Sequence, residues 1–152
     1  MSTNGGQKHT YEYARPALTV DVAIVTREAE PRVLLIRRKK EPFAGSYALP
    51  GGFVEENERL ADAARRELEE ETGVAVAELE QLYTAGDPGR DPRGWTVSVV
   101  YLAQVEPAQL KPVAADDAEA VGWFPLDELP ALAFDHAMIL ARARTRLADR
   151  SV

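Results

Sequence analysis

One predicted helix, bounded by glycines, constrains the fold of this chain more than any other feature. The chain breakers Pro50, Gly51 and Gly52 precede it, and Gly73 lies where a glycine commonly ends a helix. Between them, apolar side chains recur at helical spacing, at Leu60, Ala64 and Leu68. We predict an amphipathic helix with Asn57 as its N-cap, whose apolar side packs on a sheet.

Segments rich in β-branched and apolar residues flank this helix and predict strands. In chain order they are residues 17–25, 32–36, 74–85, 96–105 and 121–124. We expect the first two strands to form a hairpin, and the third and fourth to form another across a turn-rich loop at residues 86–94. Asp135 is expected to cap a final helix. This order predicts one α/β (α+β) domain in which helices pack on a mixed sheet.

Length and composition limit the class of protein. With 152 residues, 45% of them hydrophobic, the chain suits one domain, expected at residues 11–152 behind a flexible tail at residues 1–10. The absence of cysteine excludes a disulfide scaffold and a thiol nucleophile. A net charge of −7 disfavours a nucleic-acid partner. No stretch resembles a secretion signal or a membrane span, so we expect a cytoplasmic protein without a membrane partner.

Three glutamates mark one side of the predicted helix. At about 100° per residue, Glu67, Glu70 and Glu71 share that side, where like charges repel by roughly 0.2–0.5 kcal/mol per pair. Such runs are common on solvated helix faces, but a hard cation such as Mg²⁺ or Mn²⁺ would offset the repulsion. The glycines before the helix permit a backbone carbonyl to approach an ion closely. These residues therefore predict a metal site.

The same segment resembles the signature of the Nudix hydrolases. That pattern is Gly, five residues, Glu, seven residues, Arg-Glu, an aliphatic residue, any residue, Glu-Glu, any residue, Gly and an aliphatic residue. Every position is matched here, by Gly52, Glu58, Arg66, Glu67, Leu68, Glu70, Glu71, Gly73 and Val74. The flanking strands resemble the family more loosely. The resemblance implies a Nudix-like α/β/α sandwich around a mixed β-sheet.

The resemblance also implies roles for individual residues. The implied metal ligands are three carboxylates and one backbone carbonyl, those of Glu67, Glu70, Glu71 and Gly51. Glu58 and Arg66 would form an ion pair that braces the loop against the helix. Glu69 is outside the pattern and is expected to be solvated, while Glu55 and Glu56 are candidates for an additional metal.

The implied reaction is hydrolysis of a nucleoside diphosphate linked to another group, with water as nucleophile. Neither histidine lies near a serine in the sequence, so nothing predicts a covalent nucleophile with its base. Bound metal ions would lower the pKa of water and neutralise charge on the leaving group. The general base is Glu67 or Glu70 within the signature, or an acid of a later loop. The loop candidates are Asp116, Asp117 and Glu119, of which we favour Glu119 as a catalytic residue because it lies nearest a predicted strand.

Two basic segments predict substrate binding, because arginine pairs bidentately with phosphate. The candidates are Arg37, Arg38, Arg90 and Arg93. The sequences around them, with Pro88 downstream of the signature, resemble the ADP-ribose pyrophosphatase branch, which implies cleavage of ADP-ribose to AMP and ribose 5-phosphate. Candidates to stack on adenine are Phe43, Tyr47 and Trp95.

Other readings stay open. An oxidised or ordinary nucleoside triphosphate, or a dinucleotide such as NADH, would need the same chemistry. A non-catalytic sensor of ADP-ribose or an NAD metabolite belongs to another class; we expect it less because the glutamates are intact and no DNA-binding module follows the final predicted helix. The family resemblance also implies a homodimer, in which the apolar segment at residues 11–25 could pair across a two-fold axis.

Overall fold

The computed structural model describes residues 8–107 and 118–150, which form seven strands and two helices. In chain order these are β1 (Ala17–Thr26), β2 (Arg32–Arg38), β3 (Tyr47–Ala48), β4 (Gly51–Phe53), α1 (Leu60–Thr72), β5 (Glu80–Ala85), β6 (Thr96–Val105), β7 (Ala118–Pro125) and α2 (His136–Arg150). The expected mixed sheet with packed helices is confirmed. Residues 1–7 of the predicted tail lie outside the described residues.

Strand β1 is the centre of the sheet. It runs parallel to β6 along its whole length, from Ala17 opposite Thr96 to Thr26 opposite Val105. Its other edge is divided, because β4 pairs with its first half and β2 with its second half, both antiparallel. This division places Gly51 directly opposite Asp21, in the middle of the sheet.

The two helices cover opposite faces of this sheet. Alternate residues of β1 point to opposite sides, so Val22 packs with α1 while Ala23 packs with α2. The α1 layer includes the buried Ala64 and Leu68, which the helical spacing predicted to face the sheet. The result is an α/β/α sandwich, and its site-bearing loops lie where β4 meets α1.

Both predicted hairpins are present, since β1 pairs antiparallel with β2 and β5 with β6. The third strand was predicted to begin at residue 74, and this is wrong: β5 begins at Glu80. Val74 instead packs beneath α1, and the Arg65 guanidinium donates to the Ala77 carbonyl at 2.8 and 3.2 Å. The Arg65 side chain therefore makes the hydrogen bond to the Ala77 carbonyl that a neighbouring strand would otherwise make.

The end of α1 follows the prediction and its start does not. Gly73 has the left-handed φ of 73° expected of a C-terminal cap, and its N–H donates to the Glu69 carbonyl. Asn57 is not the N-cap, because Arg59 occupies that position and Asn57 has a φ of 63° in a turn. Asparagine tolerates this left-handed conformation better than most residues, which explains its place there. Neither described helix is long and apolar enough to cross a bilayer.

Candidate active site

A cavity of about 270 Å³ opens beside the junction of β4 and α1. Its lining combines two carboxylates of α1 with three of the four predicted arginines. These are Glu67, Glu71, Arg38, Arg90 and Arg93. Below, the carboxylate cluster means Glu67, Glu70 and Glu71, and the arginine cluster means Arg38, Arg90 and Arg93.

Two members of the carboxylate cluster are buried. The Glu67 side chain is 4% exposed, and burial raises its pKa. Burial and the charge of Glu67 raise the pKa of Glu71 well above its ordinary value. Glu71 Oε1 accepts the Gly51 N–H at 3.4 Å, but Oε2 is buried and has no hydrogen-bond partner within the described part of the chain. An unpartnered buried carboxylate oxygen is costly, so this position calls for a cation.

The glycine loop, Pro50, Gly51 and Gly52, lies tightly against both β1 and α1. A Cβ on Gly51 would lie 2.2 Å from the Val20 carbonyl oxygen, so only glycine fits there. A Cβ on Gly52 would lie 2.5–2.6 Å from the Glu67 carboxylate. The backbone at Gly52 and the Glu67 carboxylate therefore lie in direct contact, with no space for a side chain between them.

Arg66 braces this arrangement and confirms the predicted ion pair with Glu58. Its Nε and Nη2 donate to the two Glu58 carboxylate oxygens at 2.7 and 2.9 Å, and Nη2 also donates to the Phe53 carbonyl at 3.1 Å. Its Nη1 donates to Glu67 Oε1 at 2.7 Å and to Glu70 Oε2 at 3.3 Å. These bonds lower the pKa of Glu58 and raise that of Arg66. The guanidinium thus joins loop to helix and offsets the repulsion among the glutamates.

The donors around the carboxylate cluster suit a hard divalent ion, although they do not form a closed cage. Among residues 8–107 and 118–150, no three acidic or histidine side chains converge as ligands of one ion. Glu67 and Glu70 both face Arg66, whereas Glu71 Oε2 is directed to no donor in the described chain. An oxygen-rich, partly open arrangement is what Mg²⁺ and Mn²⁺ use, since both retain waters.

Arg90 and Arg93 are each held by an aspartate. Arg90 forms a bidentate ion pair with Asp135, with N–O distances of 2.9 and 2.7 Å, and its side chain is only 5% exposed. Arg93 pairs with Asp91, and Nη2 to Oδ2 is 2.8 Å. These pairs set both guanidinium planes, and fixed guanidiniums lose less entropy when they bind phosphate.

The two neighbouring arginines of β2 differ in their surroundings. Arg38 lines the cavity, and its Nε donates to the Pro42 carbonyl at 2.8 Å. Burial lowers its pKa, and the charge of Arg93 adds to that effect. Arg37 is exposed, donates to the Gly45 carbonyl at 3.0 Å, and is not among the described residues that line the cavity. The structure therefore brings three of the four predicted arginines together.

Phe134 is a cavity residue that no local sequence pattern predicted. The Arg38 guanidinium lies 5.0 Å from its ring centroid and that of Arg93 lies 5.3 Å away, both within cation–π range. The Phe43 ring is 4.9 Å from it. Phe43 and Phe134 both have left-handed φ values, 62° and 52°, which are rare for bulky residues and mark strain at a functional site.

A family model described as the NUDIX domain matches residues 16–143, which is most of the chain. The chain belongs to the Nudix family. The match includes the whole signature and every described residue that lines the cavity. It agrees with the fold, since α1 carries the signature glutamates and the sheet lies between two helices.

Three known proteins that this Nudix chain resembles are named for ADP-ribose or were solved with it. An ADP-ribose pyrophosphatase of Methanocaldococcus jannaschii is 44% identical over 128 residues, 84% of this chain and 73% of the relative. The ADPR responsive transcriptional repressor NtrR of Acinetobacter baylyi is 37% identical over 92% of this chain, which spans only 58% of the repressor. The NUDIX domain of Shewanella oneidensis NrtR, solved with ADP ribose, is 37% identical with a TM-score of 0.82 and covers 89% of this chain and 90% of that domain.

The other predicted site residues of this Nudix domain lie at varied distances from the cavity. Glu119 is within β7, the strand that pairs with β2 at Arg37 and Arg38, but its side chain lies outside the described residues, as do Asp116 and Asp117 altogether. Glu69 is exposed, as expected. Glu55 donates its N–H to Glu58, and Glu56 is exposed, with its carboxylate 3.8 Å from His9. Pro88 lies in the loop between β5 and β6, which carries Arg90 and Arg93.

The three predicted adenine-stacking residues of this Nudix domain have different environments. Tyr47 packs on Phe124 at 4.7 Å as part of the core. Phe43 is 39% exposed and Trp95 is 56% exposed, so both present an accessible ring. Phe134, which the sequence reasoning missed, lines the cavity itself. Its partners Arg38 and Arg93 come from distant parts of the chain, so no local spacing could have indicated it.

Proposed function

We propose that this protein hydrolyses ADP-ribose to AMP and ribose 5-phosphate with a divalent metal ion. One observation carries the proposal: a single cavity combines the buried, unpartnered Glu71 Oε2 with an arginine cluster held in fixed geometry. A diphosphate needs both, because its charge requires cations on several sides in the transition state. The 44% identical pyrophosphatase supports the choice of ADP-ribose.

Nudix hydrolases use divalent metals, and we propose Mg²⁺ or Mn²⁺ here. The residues that would hold the ion are Glu67, Glu70, Glu71 and the Gly51 carbonyl. When bound, the metal lowers the pKa of water and neutralises charge on phosphate oxygens. Glu71 is the strongest candidate, because its Oε2 has no donor to displace within the described chain.

The chain's own residues would divide the remaining tasks. Arg38, Arg90 and Arg93 bind and orient the phosphates, and the electrostatic field of their guanidiniums stabilises the departing monophosphate. Water attacks one phosphorus, the bridging P–O bond breaks, and a general base accepts the water proton. We propose Glu119 as that base, with Glu67 or Glu70 as alternatives.

The test is turnover of a substrate panel with Mg²⁺ or Mn²⁺, with and without EDTA. The panel holds ADP-ribose, NADH, 8-oxo-dGTP and an ordinary dNTP, with products separated by chromatography and Glu71→Gln as the inactive reference. We expect AMP and ribose 5-phosphate in equal amounts from ADP-ribose, and nothing after chelation. Monophosphate and pyrophosphate from a triphosphate alone would retain the mechanism and replace the substrate.

A sensor of ADP-ribose is the second candidate, because one relative is a repressor named for its response to ADPR. The intact carboxylate cluster favours the enzyme over this alternative. Tight ADP-ribose binding without cleavage in the presence of either metal would reverse that choice.

The choice of base has its own test. Glu119→Gln should lower kcat about 100-fold or more, a typical value for loss of general base catalysis, while the apparent metal affinity stays unchanged. A kcat within about threefold of the wild type would exclude Glu119 and direct attention to Glu67 and Glu70.

We also propose that the protein is a homodimer, that residues 11–152 form a single domain and that its location is cytoplasmic. The dimer is supported by the family resemblance only. In the structure β1, which overlaps the segment at residues 11–25 expected to pair across a two-fold axis, is paired on both edges within one chain. Light scattering after gel filtration measures the mass directly, and a monomeric mass would remove the dimer from this account.

A further inference from the structure

Three consecutive side chains before and at the start of α2 each contact a different part of the cavity. His136 Nδ1 accepts the Leu49 N–H at 3.0 Å, Asp135 pairs with Arg90, and the Phe134 ring lies beside two other guanidiniums. Asp135 was expected to cap α2, yet its carboxylate bonds Arg90, while its carbonyl accepts the Ile139 N–H at 3.1 Å. None of the predicted site residues lies in this tripeptide.

The hydrogen bond between Leu49 and His136 holds the glycine loop in place. Leu49 lies two residues before Gly51, and the Pro50 carbonyl between them accepts the Val22 N–H at 2.8 Å. His136 is buried, and burial lowers its pKa, so the neutral ring keeps an Nδ1 lone pair for Leu49. The loop is therefore tied to α2 at one residue and to β1 at the next.

The other ring nitrogen of His136, Nε2, lies near a second buried group. Nε2 lies 3.6 Å from Asp21 Oδ1, and Asp21 Oδ2 accepts the Ser98 hydroxyl at 2.5 Å. Because Nδ1 is occupied as an acceptor, Nε2 carries the proton and faces the carboxylate. Asp21 is also the residue directly opposite Gly51 in the sheet. The Leu49 hydrogen bond thus selects the tautomer, and the Asp21 carboxylate lies near the protonated Nε2.

Asp135 and Phe134 contact the arginine cluster, the first through an ion pair and the second through its ring. The Arg90–Asp135 pair is nearly buried, so removing one partner leaves a charge without compensation. The left-handed φ of Phe134 is held by neighbouring backbone bonds, since the Ala133 N–H donates to the Tyr47 carbonyl at 2.8 Å. The strain is thereby retained where the ring meets Arg38 and Arg93.

We propose that Phe134, Asp135 and His136 are positioning residues, with His136 setting the glycine loop of the metal site and Asp135 and Phe134 setting the arginines of the phosphate site. This inference rests on the proposed function. We therefore expect substitution of His136 to change metal affinity and substitution of Asp135 to change ADP-ribose affinity, although the two residues are adjacent.

The experiment compares His136→Gln with His136→Asn, and both with Asp135→Asn. Asn keeps an acceptor near the Nδ1 position, whereas Gln places its polar atoms near Nε2 and loses the Leu49 bond. Each variant is titrated with Mn²⁺ by electron paramagnetic resonance and with ADP-ribose in EDTA by calorimetry, and its melting temperature and kcat are recorded. Asp127→Asn, which breaks an exposed pair with Arg144, is the matched control.

We expect His136→Gln to weaken Mn²⁺ binding about tenfold and kcat about 100-fold, with ADP-ribose affinity within about twofold of the wild type. His136→Asn should restore most of both losses. Asp135→Asn should show the opposite pattern, with about tenfold weaker ADP-ribose binding and Mn²⁺ affinity unchanged. Asp127→Asn should match the wild type in every binding constant.

The proposal is overturned if both substitutions change both affinities alike, or if they lower only the melting temperature. It is also overturned if Asn and Gln at position 136 behave the same. Failure of the proposed function appears elsewhere, in a wild-type protein that leaves ADP-ribose uncleaved.

Discussion

Two members of the carboxylate cluster, Glu67 and Glu71, line one cavity with the arginine cluster, but the two clusters arise in different ways. The three glutamates belong to one helix, so the spacing within α1 alone places them together. The three arginines come from β2 and from the loop between β5 and β6, and only the folded sheet brings them together. A local pattern therefore specifies the first cluster, while tertiary contacts specify the second.

The two clusters are also supported differently. Arg66, from the same helix, neutralises the glutamates, and the glycine loop directly before that helix completes their surroundings. Arg93 pairs with Asp91 of its own loop, but Arg90 is held by Asp135, and the Phe134 ring before α2 lies beside Arg38 and Arg93. Substitutions near the glutamates should therefore affect chemistry most, and those near the arginines should affect substrate affinity.

The largest effect is expected at Glu71. Glu71→Gln should lower kcat about 1000-fold, because it removes the carboxylate whose buried oxygen lacks a partner. This is at the upper end of the loss in kcat that removal of one electrostatic group usually causes. Glu69→Gln, a change on the exposed side of the same helix, is the control and should leave kcat within about twofold of wild type, as surface changes usually do. Steady-state kinetics with ADP-ribose measure both. Equal effects would show that helix charge alone matters.

Gly52→Ala tests whether the position of the Glu67 carboxylate matters as well as its charge. The Cβ of Gly52→Ala would displace the Glu67 carboxylate, which is the movable end of a side chain, so kcat should fall about 100-fold with little change in melting temperature. Gly86→Ala is the matched control, since its Cβ would meet Val97 at an ordinary 3.7 Å. A kcat unchanged by Gly52→Ala would mean that turnover does not depend on the position of the Glu67 carboxylate.

Sequence reasoning succeeded where short spacing fixes geometry. The core face of α1, the Gly73 cap, the Glu58–Arg66 pair and both hairpins follow from local patterns, and the structure contains them. It could not separate Arg37 from Arg38, because alternation along β2 places the two on opposite faces but does not say which face meets the cavity.

Phe134 and His136 were beyond local reasoning for a related cause. Their partners, Arg38 and Leu49, lie in the first third of the chain and become neighbours only through the sheet. Asp135 was recognised for its helix-start position, which is a local signal, but its bond to Arg90 is not. Long-range pairing therefore marks the limit of what the sequence predicted.

The adjacent arginines supply the next prediction. Arg38→Ala should raise KM for ADP-ribose about tenfold, equivalent to about 1.4 kcal/mol, with kcat less affected. Arg37→Ala should leave KM within about twofold, because its exposed side chain lies away from the cavity lining described above. Initial rates over a range of ADP-ribose concentrations decide between them, and a larger effect at Arg37 would contradict the assignment.

The last prediction concerns stability, and here we expect the smallest change in turnover. Glu58→Gln should lower the free energy of unfolding by about 1.5–3 kcal/mol at pH 7, the typical range for a hydrogen bond to a charged group. Arg66 lowers the pKa of Glu58, so this contribution is complete above the ordinary value of 4.5 and disappears as the pH falls through the lower folded value. Urea unfolding at pH 7 and near pH 3 measures it, with Glu69→Gln as control. A difference that persists in acid would mean that packing, not charge, is lost.

The most direct test of the division between the two clusters is a Mn²⁺ titration of wild type, Glu71→Gln and Arg38→Ala by electron paramagnetic resonance. We expect at least tenfold weaker Mn²⁺ binding in Glu71→Gln, about 1.4 kcal/mol, and wild-type binding in Arg38→Ala. Wild-type Mn²⁺ affinity in Glu71→Gln, or a loss of equal size in both variants, would contradict it.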